Sequence, residues 1–91
     1  MVNKKIIIPN PSGLHARPAG KFVTTAGHFK STVKIIKNGK PYNAKSILTV
    51  LSASIKFREE VELEISGPDE TEALDAIVAA VNSGLGENIT L

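Results

Sequence analysis

Glu60-Val61-Glu62-Leu63-Glu64-Ile65-Ser66 alternates acidic with aliphatic side chains. Successive side chains of a strand point to opposite faces, so the glutamates share one face while Val61, Leu63 and Ile65 share the other. The stretch predicts a half-buried strand, and a sheet with one apolar face needs helices packed on that face. Gly67-Pro68 closes the strand. Asp69 and Glu72 beyond it have the spacing of a capping box. Leu74, Ile77, Val78 and Val81 then recur at helical spacing, Glu70 and Glu72 complement the dipole, and Asn82-Ser83-Gly84 provides a stop.

Working outward, Asn38-Gly39 sits between Ser31–Lys37 and Lys40–Asn43 and supplies the positive φ angles of a type I′ hairpin. Pro41 assigns the second strand of that hairpin to an edge. The β-branched residues Val2, Ile6, Ile7 and Ile8 make Val2–Ile8 read as a strand, which Pro9 and Pro11 end. From Pro18 to Gly27 the apolar residues Ala19, Phe22, Val23 and Ala26 fit one helical side. Arg17 precedes a proline, which predicts an irregular first turn. Ser46 is a suitable N-cap for a short helix from Ile47 to about Ala53. The expected order is βαββαβα, an α+β two-layer fold in one domain covering residues 1–91.

Ninety-one residues suffice for one small core. The absence of cysteine excludes disulfides and thiolate metal sites, and no metal or other cofactor is expected. Ile6-Ile7-Ile8 is far too short for a signal-peptide core or a membrane span, which predicts a cytoplasmic protein. The net charge of +2 hides a segregation: the 11 basic residues all lie at or before Arg58 and the 9 acidic ones at or after Glu59. Strand pairing is expected to remix part of this, with the strand glutamates opposite Lys5 or Lys34. Arg17, Lys21, Lys45, Lys56 and Arg58 are expected to remain a basic patch.

The chemistry concentrates in Asn10-Pro11-Ser12-Gly13-Leu14-His15-Ala16-Arg17-Pro18-Ala19, where a turn-rich loop runs into a helix. Backbone N–H groups at a helix start lack intrahelical partners and suit an anion. His15 is the plausible nucleophile, and Arg17 offers planar, charge-assisted hydrogen bonds to phosphoryl oxygens. Ser12 adds a hydroxyl, Ala16 a backbone donor, and Gly13 a backbone that a ligand can approach closely. No P-loop, metal-ligand pair or carboxylate among the first 58 residues could drive the chemistry alone, so the chain is expected to be a substrate of partners rather than an enzyme.

Gly13-Leu14-His15-Ala16-Arg17-Pro18-Ala19, followed by Asn43-Ala44-Lys45-Ser46-Ile47, resembles the signature of HPr, the phosphocarrier family of the bacterial phosphoenolpyruvate-dependent sugar phosphotransferase system. The similarity runs from about Ile6 to Val81. It implies an open-faced β-sandwich, a four-stranded antiparallel sheet under three helices. It also implies that His15 takes phosphate on Nδ1 from enzyme I and gives it to IIA domains of sugar permeases, with Arg17 stabilising the group. In Gram-positive members a serine in the context of Ser46 is phosphorylated by HPr kinase/phosphorylase and read by a catabolite repression regulator. Gly20, Lys21, Ile47, Leu48 and Leu51 are the expected docking residues of a monomer that binds neither nucleic acid nor membrane. Gly20, costly in a helix, suggests close approach by a partner or another element.

The family's usual glycines are absent at Thr49, Ser54 and Arg58, and Phe57 is either a new contact or folded onto the core. This departure keeps open a specialised paralogue with a regulatory or dedicated partner. Two other classes are less well supported. A small phosphatase would need a carboxamide poised beside Arg17. A nucleic-acid module would use the acid-free run Lys30, Lys34, Lys37, Lys40 and Lys45, with Tyr42 as its stacking candidate.

Overall fold

In the computed structural model, which describes residues 1–87, the elements are β1 (Val2–Ile7), α1 (Ala16–Gly27), β2 (Thr32–Lys37), β3 (Lys40–Asn43), α2 (Ile47–Ser52), β4 (Glu60–Ser66) and α3 (Glu70–Asn82). The strands form one antiparallel sheet in the order β1-β4-β2-β3. The alternating strand β4 is thus central, and its Val61, Leu63 and Ile65 are buried with Ile6, Val33 and Ile35 of its neighbours. Three helices cover that face through Ala19, Phe22 and Ala26 of α1, Val50 of α2, and Ala73, Ile77 and Val81 of α3. This is the expected open-faced sandwich. Leu74 and Val78, expected on the buried stripe of α3, are only half-buried, because the stripe that faces the core runs through Ala73, Ile77 and Val81.

On the uncovered face, Glu62 stands opposite Lys5 and Glu64 opposite Lys34. Asn38 and Gly39 adopt φ of 53° and 77°, as a type I′ turn requires, and Pro41 lies on the edge strand β3. Helix α1 begins at Ala16 rather than Pro18, with His15 in the extended N-cap conformation. Pro18 fits inside the first turn because the N–H it lacks would have had no intrahelical acceptor.

Two lysines of the supposed basic run are tied to carbonyls at helix ends. Lys45 Nζ donates to Phe29 O at 2.6 Å, and Lys37 Nζ donates to Ala53 O and Ser54 O at 2.7 and 2.9 Å while pairing with Glu59 at 3.2 Å. Cations are favoured at helix C-termini by the dipole and the unpaired carbonyls. Lys45 therefore belongs to the framework and not to a free basic patch. With Lys34 opposite Glu64 as well, three of the five lysines of the run face a carbonyl or a carboxylate.

The capping box at Asp69 does not form. Asp69 occupies the N-cap of α3 without a side-chain cap, because its carboxylate accepts from Lys30 N, Ser31 N and Ser31 Oγ at 2.9, 2.9 and 2.5 Å. It thus joins the start of α3 to the loop between α1 and β2. Gly67 permits the approach, since a Cβ there would lie 2.6 Å from Ser31 Cα. The Ser31 hydroxyl and then the Lys30 amide lower the Asp69 pKa from 3.8 to about 2. A carboxylate depressed in the fold stabilises it above the unfolded value and loses that contribution as pH falls through the folded one. Denaturant midpoints measured from pH 5 to about pH 2 should accordingly fall more steeply for the wild type than for Asp69→Asn, and the two curves should converge near the acid end.

Candidate functional site

The turn from Asn10 to Gly13, closed by Gly13 N donating to Asn10 O at 2.8 Å, directs the chain back toward α1. Gly13 has φ +70°, and any Cβ on it would run into the backbone of Ile55 and Lys56. That contact lets Leu14 N donate to Ile55 O at 2.9 Å while Leu14 is buried. The next residue, His15, is consequently turned outward, its side chain 42% exposed at the start of α1. The first intrahelical bond runs from Ala19 N to His15 O at 2.9 Å. With Pro18 lacking an N–H, the orphan donors at the helix start come from Ala16 and Arg17. Ser12, Ala16 and Arg17 are exposed beside them.

His15 and Ser12 share a shallow depression of about 260 Å³ with Leu51, Ser54 and Lys56. The structure thus brings the motif loop against the end of α2 and the segment that follows it. Ile47, Leu48 and Leu51 are 38%, 77% and 37% exposed, and Lys21 projects from α1 into solvent. Among the described residues no other element approaches Gly20 closely: a Cβ added there would meet nothing within 4 Å outside its own helix backbone. Ser46 caps α2 as expected: its Oγ accepts from Thr49 N and Thr49 Oγ1 at 3.3 and 2.9 Å. His28 is exposed at the C-cap of α1.

Sequence reasoning missed Glu87. Its Oε2 lies 3.1 Å from His15 Nε2 and its Oε1 accepts from Asn10 Nδ2 at 2.8 Å. Asn10 is fully buried, and Nδ2 also donates to Gly84 O at 2.9 Å. The Asn10 amide, then the neighbouring His15 and Arg17, hold the Glu87 carboxyl below the ordinary carboxylate range against the opposing effect of burial. The signal for this contact lay beyond the stop of α3. Gly84 N donates to Val81 O and Leu85 N to Ala80 O at 3.1 and 3.0 Å, the paired bonds of a Schellman turn, and Leu85 is fully buried. A glycine followed by an apolar residue at a helix end encodes such a turn, and it sends the chain back across Asn10.

A small antiparallel sheet, covered on one face by three helices and presenting an outward histidine at a helix start, defines an open-faced β-sandwich domain with one candidate acceptor group at its rim. Residues 2–83 match the family of the PTS HPr component phosphorylation site. The chain belongs to this family, that of the HPr phosphocarriers of the phosphotransferase system. It is 41% identical over 87 residues to the phosphocarrier protein HPr of Cupriavidus necator, covering 96% of this chain and 98% of that protein. It is 43% identical over 81 residues to the HPr-like protein Crh of Bacillus subtilis, covering 89% and 95% of the two chains. The crystal structure of HPr from Thermoanaerobacter tengcongensis superposes with a TM-score of 0.92 at 42% identity, covering 97% of this chain and 99% of that one.

Two residues of the segment that follows α2 carry backbone strain. Ser54 and Arg58 have φ of 51° and 62°, in the left-handed region that side chains disfavour. Phe57 does not fold onto the core: it is 47% exposed, with the Arg58 guanidinium 5.0 Å from its ring centre. Ser54→Gly should therefore stabilise the fold by about 0.5–1 kcal/mol, and Arg58→Gly by less because it forfeits the stacked cation. Urea unfolding midpoints of the two variants check both the sign and the order.

Proposed function

We propose that His15 accepts a phosphoryl group from phosphorylated enzyme I and passes it to the IIA domains of sugar permeases. The observation that carries this reading is the outward imidazole at the N-cap of α1, beside the exposed Arg17 and the free amides of the first turn. Phosphoryl transfer needs positioning and neutralisation of charge on the equatorial oxygens more than it needs covalent machinery. Nδ1 would attack phosphorus in line as the bond to the donor nitrogen breaks and its electron pair returns to the donor. Arg17 and the amides would receive the phosphoryl oxygens, with the Ser12 hydroxyl at the rim. Reversal of the same step toward a second acceptor makes the chain a carrier.

The apolar exposure of Ile47, Leu48 and Leu51 beside this depression, with Gly20 and Lys21 on α1, supports their use in docking both partners. Among the described residues no helix is long and apolar enough to cross a membrane. The unit is read as one HPr-like domain over residues 1–91, acting as a monomer in the cytoplasm.

Ser46 is read as a second, regulatory phosphorylation site for an ATP-dependent HPr kinase/phosphorylase, with a catabolite repression regulator as the reader. A phosphate at the start of α2 would keep the Thr49 amide and hydroxyl as donors while placing a dianion next to Ile47 and Leu48. A dedicated regulatory role is the second reading. It is favoured by the 43% identity to the HPr-like protein Crh and by the exposed Phe57–Arg58 pair.

Incubated with enzyme I and phosphoenolpyruvate, the wild type should gain a single acid-labile, alkali-resistant phosphate by intact mass, and His15→Ala should gain none. Phosphorylation of His15→Ala under those conditions would overturn the assignment. With the kinase and ATP, an acid-stable phosphate should appear and should be absent from Ser46→Ala. That variant should also unfold with about 1 kcal/mol less stability through loss of the cap.

A further inference from the structure

We propose that Glu87, held in place by Asn10, is a positioning residue for the acceptor imidazole: it takes the hydrogen of His15 Nε2 and so leaves the lone pair on Nδ1. The inference rests on the carrier reading of His15 and adds the residue that selects which ring nitrogen reacts. An ionised carboxylate has no hydrogen to donate. The nitrogen that faces Glu87 Oε2 at 3.1 Å must therefore carry one. In the neutral ring the other nitrogen is then unprotonated, free to act as the nucleophile.

Asn10 makes the arrangement directional. Its Nδ2 donates both to Gly84 O and to Glu87 Oε1, so rotating the amide by half a turn would set its oxygen against two oxygens. The amide orientation is thereby fixed, although Asn10 Oδ1 is buried without a partner among the described residues. Glu87 is also anchored from its own side, since its backbone N–H donates to Gly84 O at 3.0 Å. The contact to His15 is thus built on a buried side chain and a helix-terminal turn, although the imidazole itself is open to solvent.

During transfer the Nδ1 lone pair forms the bond to phosphorus, and the leaving nitrogen of the donor keeps the pair of the bond that breaks. The hydrogen on Nε2 stays in place. The ring gains the positive charge, and that charge develops facing the Glu87 carboxylate. When the phosphoryl group leaves for a second acceptor, the electron pair returns to Nδ1 and the neutral Nε2–H form is restored.

The amide variant separates this role from simple electrostatics. In Glu87→Gln the fixed donor of Asn10 claims the new side-chain oxygen, which turns the glutamine NH₂ toward His15 Nε2. That group can only donate, so it favours a lone pair on Nε2 and a hydrogen on Nδ1, the wrong tautomer for attack. In Glu87→Ala the ring is merely released.

The test combines imidazole ¹⁵N NMR, at a pH well above the ordinary imidazole range, with the rate of phosphorylation by phosphorylated enzyme I. The wild type should show His15 as Nε2–H. Glu87→Ala should show a mixture of tautomers and Glu87→Gln a shift toward Nδ1–H. Rates should fall about tenfold in Glu87→Ala and further in Glu87→Gln, each measured well below the variant's unfolding temperature so that loss of the Asn10 hydrogen bond does not unfold the chain. Unaltered ¹⁵N shifts in both variants, a faster rate in Glu87→Ala, or Glu87→Gln performing as well as or better than Glu87→Ala would overturn the proposal. Absence of phosphate on the wild type would sink the carrier reading instead, and the NMR result would stand apart from it.

Discussion

The hydrogen bond from Leu14 N to Ile55 O, made possible by a glycine at position 13, is the constraint on which the site depends. It is one of three bonds that join residues 8–14 to residues 55–59, with Ile8 N to Glu59 O at 3.2 Å and Arg58 N to Ile8 O at 2.8 Å. Together they extend the β1–β4 pairing past the sheet and carry it up to His15. The extension requires left-handed backbone at Ser54 and Arg58, each costing about 1–2 kcal/mol. Against this stand Ile8, Leu14 and Ile55, all nearly or fully buried by the same pairing and each contributing about 1.5–3 kcal/mol. Burial outweighs strain, so the segment holds its shape without glycine at these two positions.

The fold sets part of the acidic second half of the chain opposite part of the basic first half. Glu62 and Glu64 stand opposite Lys5 and Lys34 in the strand register, and Glu59 pairs with Lys37 at 3.2 Å, which also closes the end of α2. Exposed pairs of this kind contribute little to stability. Their larger consequence is for what remains: Arg17, Lys21, Lys56 and Arg58 stay exposed. The positive charge that survives pairing thus includes groups flanking His15, where it can attract a phosphorylated partner.

Much of the fold was legible because its signals are local. The alternation of Glu60–Ser66, the Asn38-Gly39 turn and the Ser46 cap each act over a few residues, and each forms as expected. Where a side chain had a distant competitor, local reasoning failed. Asp69 has the right spacing to cap α3, yet the Ser31 hydroxyl and two amides from another loop offer it more hydrogen bonds. Lys45 looks like surface charge in the sequence, but the carbonyl of Phe29 claims it. The histidine and arginine of the site were readable from one motif. Glu87, 72 positions from His15, becomes visible only when the Schellman turn and the burial of Leu85 are followed to where they send the chain.

Helix α2 explains how one edge of the site can change while the other stays fixed. A helix of six residues is too short to persist alone in water. It is secured by the Ser46 oxygen at its start, Lys37 at its end and a single fully buried side chain, Val50. That small hold on the core leaves Ile47, Leu48 and Leu51 outside, beside the depression that contains His15. His15, in contrast, is fixed through Gly13, Leu14 and Ile55, none of which belongs to α2. A charge added at Ser46 would therefore act on the apolar surface of α2 directly, with no need to move the imidazole. The separation follows from where the burial lies: the nucleophile is carried by a loop locked to the core, and the exposed apolar rim by the element least buried in it.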